Sequence, residues 1–336
     1  MKTKHTSPFL YSDGFKRYYT LDYYYKQIYR QKMCKIPLSA GFSCPNRDGS
    51  KGVGGCSYCS GAGGGEFALS DGTSLLEQYW QQQSKFLKKW PQAGFIAYFQ
   101  TFSNTYGPLS RVEAILNEAL ALPEVRGISL ATRADCIDQG VTELLAKTAE
   151  KIPLTVELGL QTVHDATAKR LNRCHDYQDF LLGYTRLKQK GIRVCLHLIN
   201  GLPGETAEMM VETVKTLSKQ KPDGIKFHML HLLKGTGLAK EYLEHPFNLL
   251  TRDAYIQILC DQLEWLPQSC VVERISGDGM EENLLAPLWT QKKLTVLNEL
   301  DKELYRRNSY QGRRLEEKDG WNFTDGEGIS EGTGQP

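Results

Sequence analysis

A chain of 336 residues is long enough for one large α/β barrel or two ordinary domains, and its formal charge of +2 neither demands nor excludes a nucleic-acid partner. Its 40% of hydrophobic residues are dispersed, without any run near the roughly 20 apolar residues that span a bilayer, and the opening MKTKHTSPFLYSDG lacks a secretory apolar region. Nine cysteines in such a chain argue against a disulfide scaffold and for a reducing, cytoplasmic setting.

The segment GFKRYYTLDYYYKQIYRQKMCK interleaves aromatic rings with Lys16, Arg17, Lys26, Arg30, Lys32 and Lys35. Two readings are open: an RNA-facing surface that pairs phosphate attraction with base stacking, or a Tyr18–Tyr29 wrap over a sheet. From Lys35 onward short apolar runs alternate with helical patterns. The runs predict strands at Lys35–Leu38, Phe95–Phe99, Gly127–Ala131, Leu154–Leu160, Val194–Ile199 and Ile225–His228. Helices are expected near Leu75–Lys89, Arg111–Ala121, Val141–Glu150, Tyr177–Gln189 and Met209–Lys219. Such lengths suit a parallel sheet, with Gln100, Arg133, Gln161 and Gly201 clustered at its carboxyl edge.

Beyond that series come a helix near Arg252–Leu266, an edge strand or barrel extension at Val271–Arg274, and a helix near Gln291–Asn308. Arg306, Arg307, Arg313 and Arg314 form a second basic patch, read either as RNA contact or as ordinary solubility. Residues 319–336 are polar and Gly-rich and read as a loose tail. The expected organisation is an N-terminal extension over 1–34, an α/β core over 35–250, and a C-terminal helical and edge-strand extension over 251–318 packed on the core.

The run GFSCPNRDGSKGVGGCSYCSGAGGGEF carries the chemistry. Eleven residues separate Cys44 from Cys56 and two separate Cys56 from Cys59. Three thiolates on a Gly-rich loop can hold a [4Fe-4S] cube at three irons and leave the fourth for a substrate or cofactor. A zinc site would need a fourth ligand from Cys34 or from a distant Cys or His. A redox dithiol at Cys56 and Cys59 would leave Cys44 and the downstream glycines unexplained. Cys136, Cys174, Cys195, Cys260 and Cys270 have no compact partner and read as small buried residues.

Together with this loop, YFQTFSNTY at Tyr98–Tyr106, ATRADC at Ala131–Cys136, ELGLQTVHD at Glu157–Asp165 and HLINGLPGE at His197–Glu205 resemble the YhcC/YtqA-like radical S-adenosylmethionine (radical SAM) proteins, near the Elp3 and coproporphyrinogen-oxidase branches. GIKFHMLHLLKGT and LLAPLW extend the resemblance over about residues 20–310. It implies a partial (β/α)6 barrel with N- and C-terminal extensions. It also implies a [4Fe-4S] cluster on Cys44, Cys56 and Cys59, with S-adenosylmethionine on the fourth iron and reductive cleavage to a 5′-deoxyadenosyl radical. A flavodoxin- or ferredoxin-type electron donor follows from that chemistry.

By the same resemblance Glu157 receives a cofactor ribose hydroxyl, and Arg173 faces the cofactor carboxylate, with Arg170 as the competing candidate. Gly64, Gly65 and Glu66 of the GGGE element line the methionyl amino group, Gln100 joins them, and Asn200, Gly201 and Gly204 bring backbone close to the adenine. Gln161 and His228 are the expected catalytic side chains, His228 hydrogen-bonding on the substrate side, while His231 is expected in the core. The Gram-positive branch implies a tRNA substrate whose wobble-uridine 5-carboxymethylaminomethyl group is converted toward 5-aminomethyl, with a tRNA methyltransferase acting downstream. It implies no membrane partner.

Overall fold

Seven strands pair side by side, all parallel, in the order in which the chain makes them: β1 (Met33–Leu38), β2 (Gly94–Phe99), β3 (Val125–Thr132), β4 (Leu154–Gln161), β5 (Arg193–Asn200), β6 (Gly224–Met229) and, beyond a two-residue β7 (Leu232–Leu233), β8 (Val271–Arg274). A short antiparallel ladder joins β7 to β9 (Leu284–Ala286). This computed structural model describes residues 9, 11, 12, 14, 16–65, 73–277 and 281–318. Glu66 and the expected tail at 319–336 lie outside them.

The helices are α1 (Leu21–Tyr29), α2 (Leu75–Lys89), α3 (Leu109–Leu120), α4 (Gln139–Ala149), α5 (Asp165–Arg170), α6 (Tyr177–Gln189), α7 (Ala207–Ser218), α8 (Gly237–Glu244), α9 (Arg252–Glu264), α10 (Lys293–Arg306) and α11 (Arg313–Lys318). Local chemistry sets where several of them begin. Ser74 and Glu77 close a capping box on α2, Asp176 and Asp179 do the same on α6, and Asp138 accepts the Val141 N–H at the start of α4.

Outward-facing strand residues such as Leu38, Phe99, Leu130, Leu158 and Phe227 pack against Tyr79, Leu116, Leu145 and Phe180 of the helices in one continuous core. Each large side chain so buried contributes about 1.5–3 kcal/mol. The opposite face is different. Lys35, Ser129, Glu157 and Lys226, from β1, β3, β4 and β6, bond to one another across it, so the sheet curls around a polar lumen. The curl brings its two edges together: Lys35 Nζ of β1 lies 2.8 Å from Glu273 Oε2 of β8.

The N-terminal segment spans that gap. Thr20 bridges Val272 in parallel, the Val272 N–H donates to the Tyr19 carbonyl at 2.8 Å, and Tyr25 of α1 is buried against Met33 and Ile96. Most of its cations are engaged: Lys16 with Asp301, Arg17 with Asn308 and the Ser309 carbonyl, Lys26 and Lys32 with Asp22, and Lys35 inside the lumen, while Arg30 is exposed. The aromatic segment therefore wraps the barrel opening, which is the second of the two readings. In the second basic patch Arg306 and Arg307 pair with Glu303, and Arg314 pairs with Glu264.

Candidate active site

Parallel strands put every strand's carboxyl end at one mouth of the barrel, and the long β1–α2 connection closes over it. In that loop the Arg47 N–H donates to the Cys44 carbonyl at 2.8 Å, the Lys51 N–H to Pro45 at 2.8 Å, and the Cys59 N–H to Cys56 at 2.9 Å, so the chain doubles back twice. Only glycine fits at residue 52, where a Cβ would stand 2.7 Å from Cys174 Sγ and closer still to the buried Asn46 amide. Cys44, Cys56 and Cys59 are free thiols that all line one cavity of about 490 Å³.

Two protein donors reach this sulfur set. Asn46 Nδ2 lies 3.5 Å from Cys56 Sγ, and Arg47 Nη2 lies 3.5 Å from Cys59 Sγ while also holding the Ser60 carbonyl. Burial, with Cys56 adjacent, pushes the Cys59 thiol up to about 11 despite Arg47. Ligation as a thiolate therefore requires a compensating positive centre. Among the described residues no three His, Cys, Asp or Glu side chains converge closely enough to share one metal ion. A cube places its cysteines on different irons, so it does not need such convergence.

The same cavity is lined by residues whose polar atoms the protein leaves unpaired. Arg173 is 3% exposed; its Nη2 donates to the Gly159 carbonyl, its carbonyl accepts from Arg133 Nη1 at 2.9 Å, and its Nε has no partner. Gln161 has φ +69°, at a register shift between β4 and β5 that turns its side chain into the cavity, and its Oε1 is buried and unpaired. His228 Nε2 is likewise buried and unpaired. Burial, then His197, Arg274, Lys226 and His231, hold the His228 imidazole well below the ordinary histidine range. The cavity wall also includes Gly64, and Gln100 Nε2 clamps the Gly64 carbonyl at 2.8 Å, which fixes the glycine run above β2. Gly65 is pressed against Thr101.

This arrangement decides what the chain is. A model of the radical SAM superfamily matches residues 44–217, and one of the radical SAM C-terminal domain matches residues 222–306. The chain belongs to the radical SAM superfamily. It is 45% identical to the protein YtqA of Bacillus subtilis over 93% of this chain and 98% of that one. It is 26% identical to a tRNA uridine(34) acetyltransferase of Methanocaldococcus infernus, over 45% of this chain and 28% of the relative. The solved structure of the archaeal M. infernus Elp3 with an N-terminal deletion shares the fold, with a TM-score of 0.57 at 16% identity over 87% of this chain and 64% of that one.

As a radical SAM enzyme the chain has a site that fits its cofactors. Three free thiols open onto one cavity, and the orphaned Arg173 Nε faces the same space with a charge suited to a carboxylate. Arg170 does not compete: it is exposed and pairs with Glu241 at 2.7 Å. Asp135 takes Arg133 at 2.9 and 3.0 Å and Lys51 at 2.7 Å. Burial opposes its charge, yet this clamp carries its carboxyl far below the usual range and fixes Arg133 under Arg173.

Several expected positions are held by the protein or lie outside the cavity; Glu157 lines it but is fully engaged. Glu157 is 0% exposed and has no acceptor left for a ribose hydroxyl: Oε1 takes Lys35 at 2.6 Å and Ser129 at 2.5 Å, and Oε2 takes His197 at 2.7 Å and Lys226. Asn200 exchanges two amide hydrogen bonds with Gln262, at 2.8 and 2.9 Å, outside the cavity. Gly201 (φ +89°) backs onto Leu250, and exposed Gly204 turns beside Arg170, so neither borders the cysteines. Cys34 belongs to the first half of β1, near Lys32 and Asp22 and away from the cysteine loop. His231 lines the cavity instead of the core. Cys136 and Cys174 are only half-buried, and Cys174 packs on the cysteine loop at Gly52.

Lys226 and Arg274 border the cavity and were not singled out from the sequence, whereas Arg133 was expected at this carboxyl edge. The available signal was a lysine in the apolar run GIKFHM, two residues before His228 and therefore on the same face of the strand.

Proposed function

We propose that this radical SAM enzyme modifies wobble uridine in tRNA, converting a 5-carboxymethylaminomethyl group toward 5-aminomethyl on uridine or 2-thiouridine. The observation that carries the radical step is the three-cysteine loop opening onto a cavity lined by Arg173, Gln161 and His228 with their unpaired polar atoms. The tRNA substrate draws support from the partial similarity to an acetyltransferase named for uridine 34 of tRNA.

In this reading Cys44, Cys56 and Cys59 hold a [4Fe-4S] cluster, and Arg173 with the Gly63–Gly65 edge holds S-adenosylmethionine. Together the two groups supply a 5′-deoxyadenosyl radical. The protein positions and shields. Gln100 pins the glycine edge, Arg133 and Asp135 pin the backbone at Arg173, and the neutral His228 presents an unspent ring nitrogen to the substrate side. The substrate hydrogen removed would be one on the carboxymethyl carbon next to the side-chain amine, where nitrogen stabilises the carbon radical. That radical would return one electron to the cluster, and water would hydrolyse the resulting imine to the 5-aminomethyl amine and glyoxylate. An anticodon-loop base can turn out of its stack to enter such a cavity. A flavodoxin- or ferredoxin-type protein supplies the electron, and a tRNA methyltransferase can take the aminomethyl product.

Mass spectrometry of tRNA nucleosides from matched cells with and without the gene tests the substrate. Loss of the 5-aminomethyl form with accumulation of its carboxymethyl precursor is expected. Unchanged levels of both overturn it.

A further inference from the structure

A second cavity of about 480 Å³ lies between the sheet edges β1 and β8, beneath α1, bordered by Asp22, Tyr25, Lys32 and Lys35. Tyr98, Gln100, Lys226 and Arg274 line both this cavity and the cysteine cavity, so the two meet at those four side chains.

Among the described residues the charge at this junction does not balance. Buried Lys226 and half-buried Lys35 and Arg193 share two carboxylates, Glu157 and Glu273. Every oxygen of both carboxylates is engaged: Glu157 by four donors, Glu273 Oε1 by Arg193 at 2.7 Å and Oε2 by Lys35 at 2.8 Å. Among these five groups one positive charge is in excess. His197 and His228 add none, because burial and the neighbouring cations hold both below the ordinary histidine range.

Lys226 is 3% exposed and spends two of its three N–H donors, on Glu157 and on the Tyr98 hydroxyl at 3.3 Å. The third is unspent, and His228 Nε2 in the same cavity has no partner. Burial also destabilises the Lys226 ammonium, an effect that Glu157 offsets and Lys35 adds to. An anion arriving here would relieve it.

We propose that Lys226, with Arg274 beside it and His228 in the same cavity, forms a subsite for a carboxylate carried by the substrate. The inference rests on the radical SAM reading of this cavity as the substrate site and is independent of whether that substrate is tRNA. A carboxylate with two oxygens matches the unspent Lys226 N–H together with a His228 Nε2–H; a phosphate brings three strong acceptor oxygens and more charge than these can meet.

The test is equilibrium binding to the anaerobically reconstituted full chain, with N-methylglycine, methylamine and inorganic phosphate as probes. N-methylglycine carries a secondary amine and a carboxylate one carbon apart, and methylamine lacks the carboxylate. Saturable N-methylglycine binding, at least about tenfold tighter than methylamine, is expected, with a loss of about tenfold or more in K226Q and in R274Q at unchanged iron content. Should K226Q fail to fold, R274Q decides. No saturable binding, equal binding of methylamine, stronger competition by phosphate, or wild-type affinity in the folded variants would overturn the subsite. Tight N-methylglycine binding beside unchanged tRNA nucleosides would refute the tRNA substrate and leave the carboxylate subsite standing.

Discussion

The mouth of the barrel and its middle are both polar and both buried, yet they are built on opposite rules. In the middle, Glu157 and Glu273 have all their oxygens occupied by protein donors from four strands, which ties β1 to β8 across the lumen. At the mouth, Arg173 Nε, Gln161 Oε1 and His228 Nε2 have no protein partner. A buried polar atom without a partner costs about 1–3 kcal/mol, so the unpaired atoms of Arg173, Gln161 and His228 around one cavity suit it to a polar ligand.

The largest effect that would sharpen this contrast is at the cysteines. Alanine at Cys44, Cys56 and Cys59 together is expected to abolish bound iron and sulfide and all 5′-deoxyadenosine formation, with circular dichroism unchanged, because the loop's backbone turns do not pass through the thiols. Iron retained in the triple variant would place the cluster elsewhere.

Glu157 tests the middle. Glu157→Gln leaves Lys35 and Lys226 facing a neutral amide in the lumen, and breaking a buried pair in this way costs about 3–5 kcal/mol. Chemical denaturation should show that loss, while affinity for S-adenosylmethionine in the folded fraction stays within about twofold. A wild-type stability combined with a large loss of cofactor affinity would move Glu157 from barrel closure to the cofactor.

The turn after β5 gives a milder case. Asn200→Ala orphans Gln262 and is expected to cost about 1–3 kcal/mol with cofactor affinity unchanged, measured by denaturation and calorimetry.

Acid titration adds a smaller signal from the same network. Burial opposes the Glu273 charge, but Lys35 and Arg193 bring its pKa down to about 2. A carboxyl lower in the folded state contributes stability that is present above the ordinary value of 4.5 and is lost as pH falls toward about 2. The slope of unfolding free energy against pH over that window should flatten in Glu273→Gln. An unchanged slope would remove Glu273 from the closure.

Much of this architecture was legible in the sequence because it is local. Period-two apolar runs and helical faces placed six strands and their main helices within about two residues of where they lie, and α2 and α6 match the expected bounds. The short α5 and α8 lacked enough turns to show a period, and α1 reads as aromatic before it reads as helical. The cysteine loop was legible because its three thiols sit within sixteen residues, from Cys44 to Cys59.

What escaped depends on contacts made far along the chain. Asn200 finds Gln262 across sixty-two positions, and Lys35 reaches Glu273 across 238. A lysine at every other position of a strand normally signals a solvent face. Here curling turned that face inward, so Lys35 and Lys226 became the charged centre of the barrel and Glu157, expected at the cofactor, became their counter-ion.

The most direct test of the three-thiol site is electron paramagnetic resonance of the anaerobically reconstituted, reduced protein, recorded with and without S-adenosylmethionine. A four-iron signal that changes shape when the sulfonium compound is added is the predicted result, since only a cluster with an iron free of protein ligands can take it directly. A protein without a four-iron signal, or one whose signal is indifferent to S-adenosylmethionine, would contradict it.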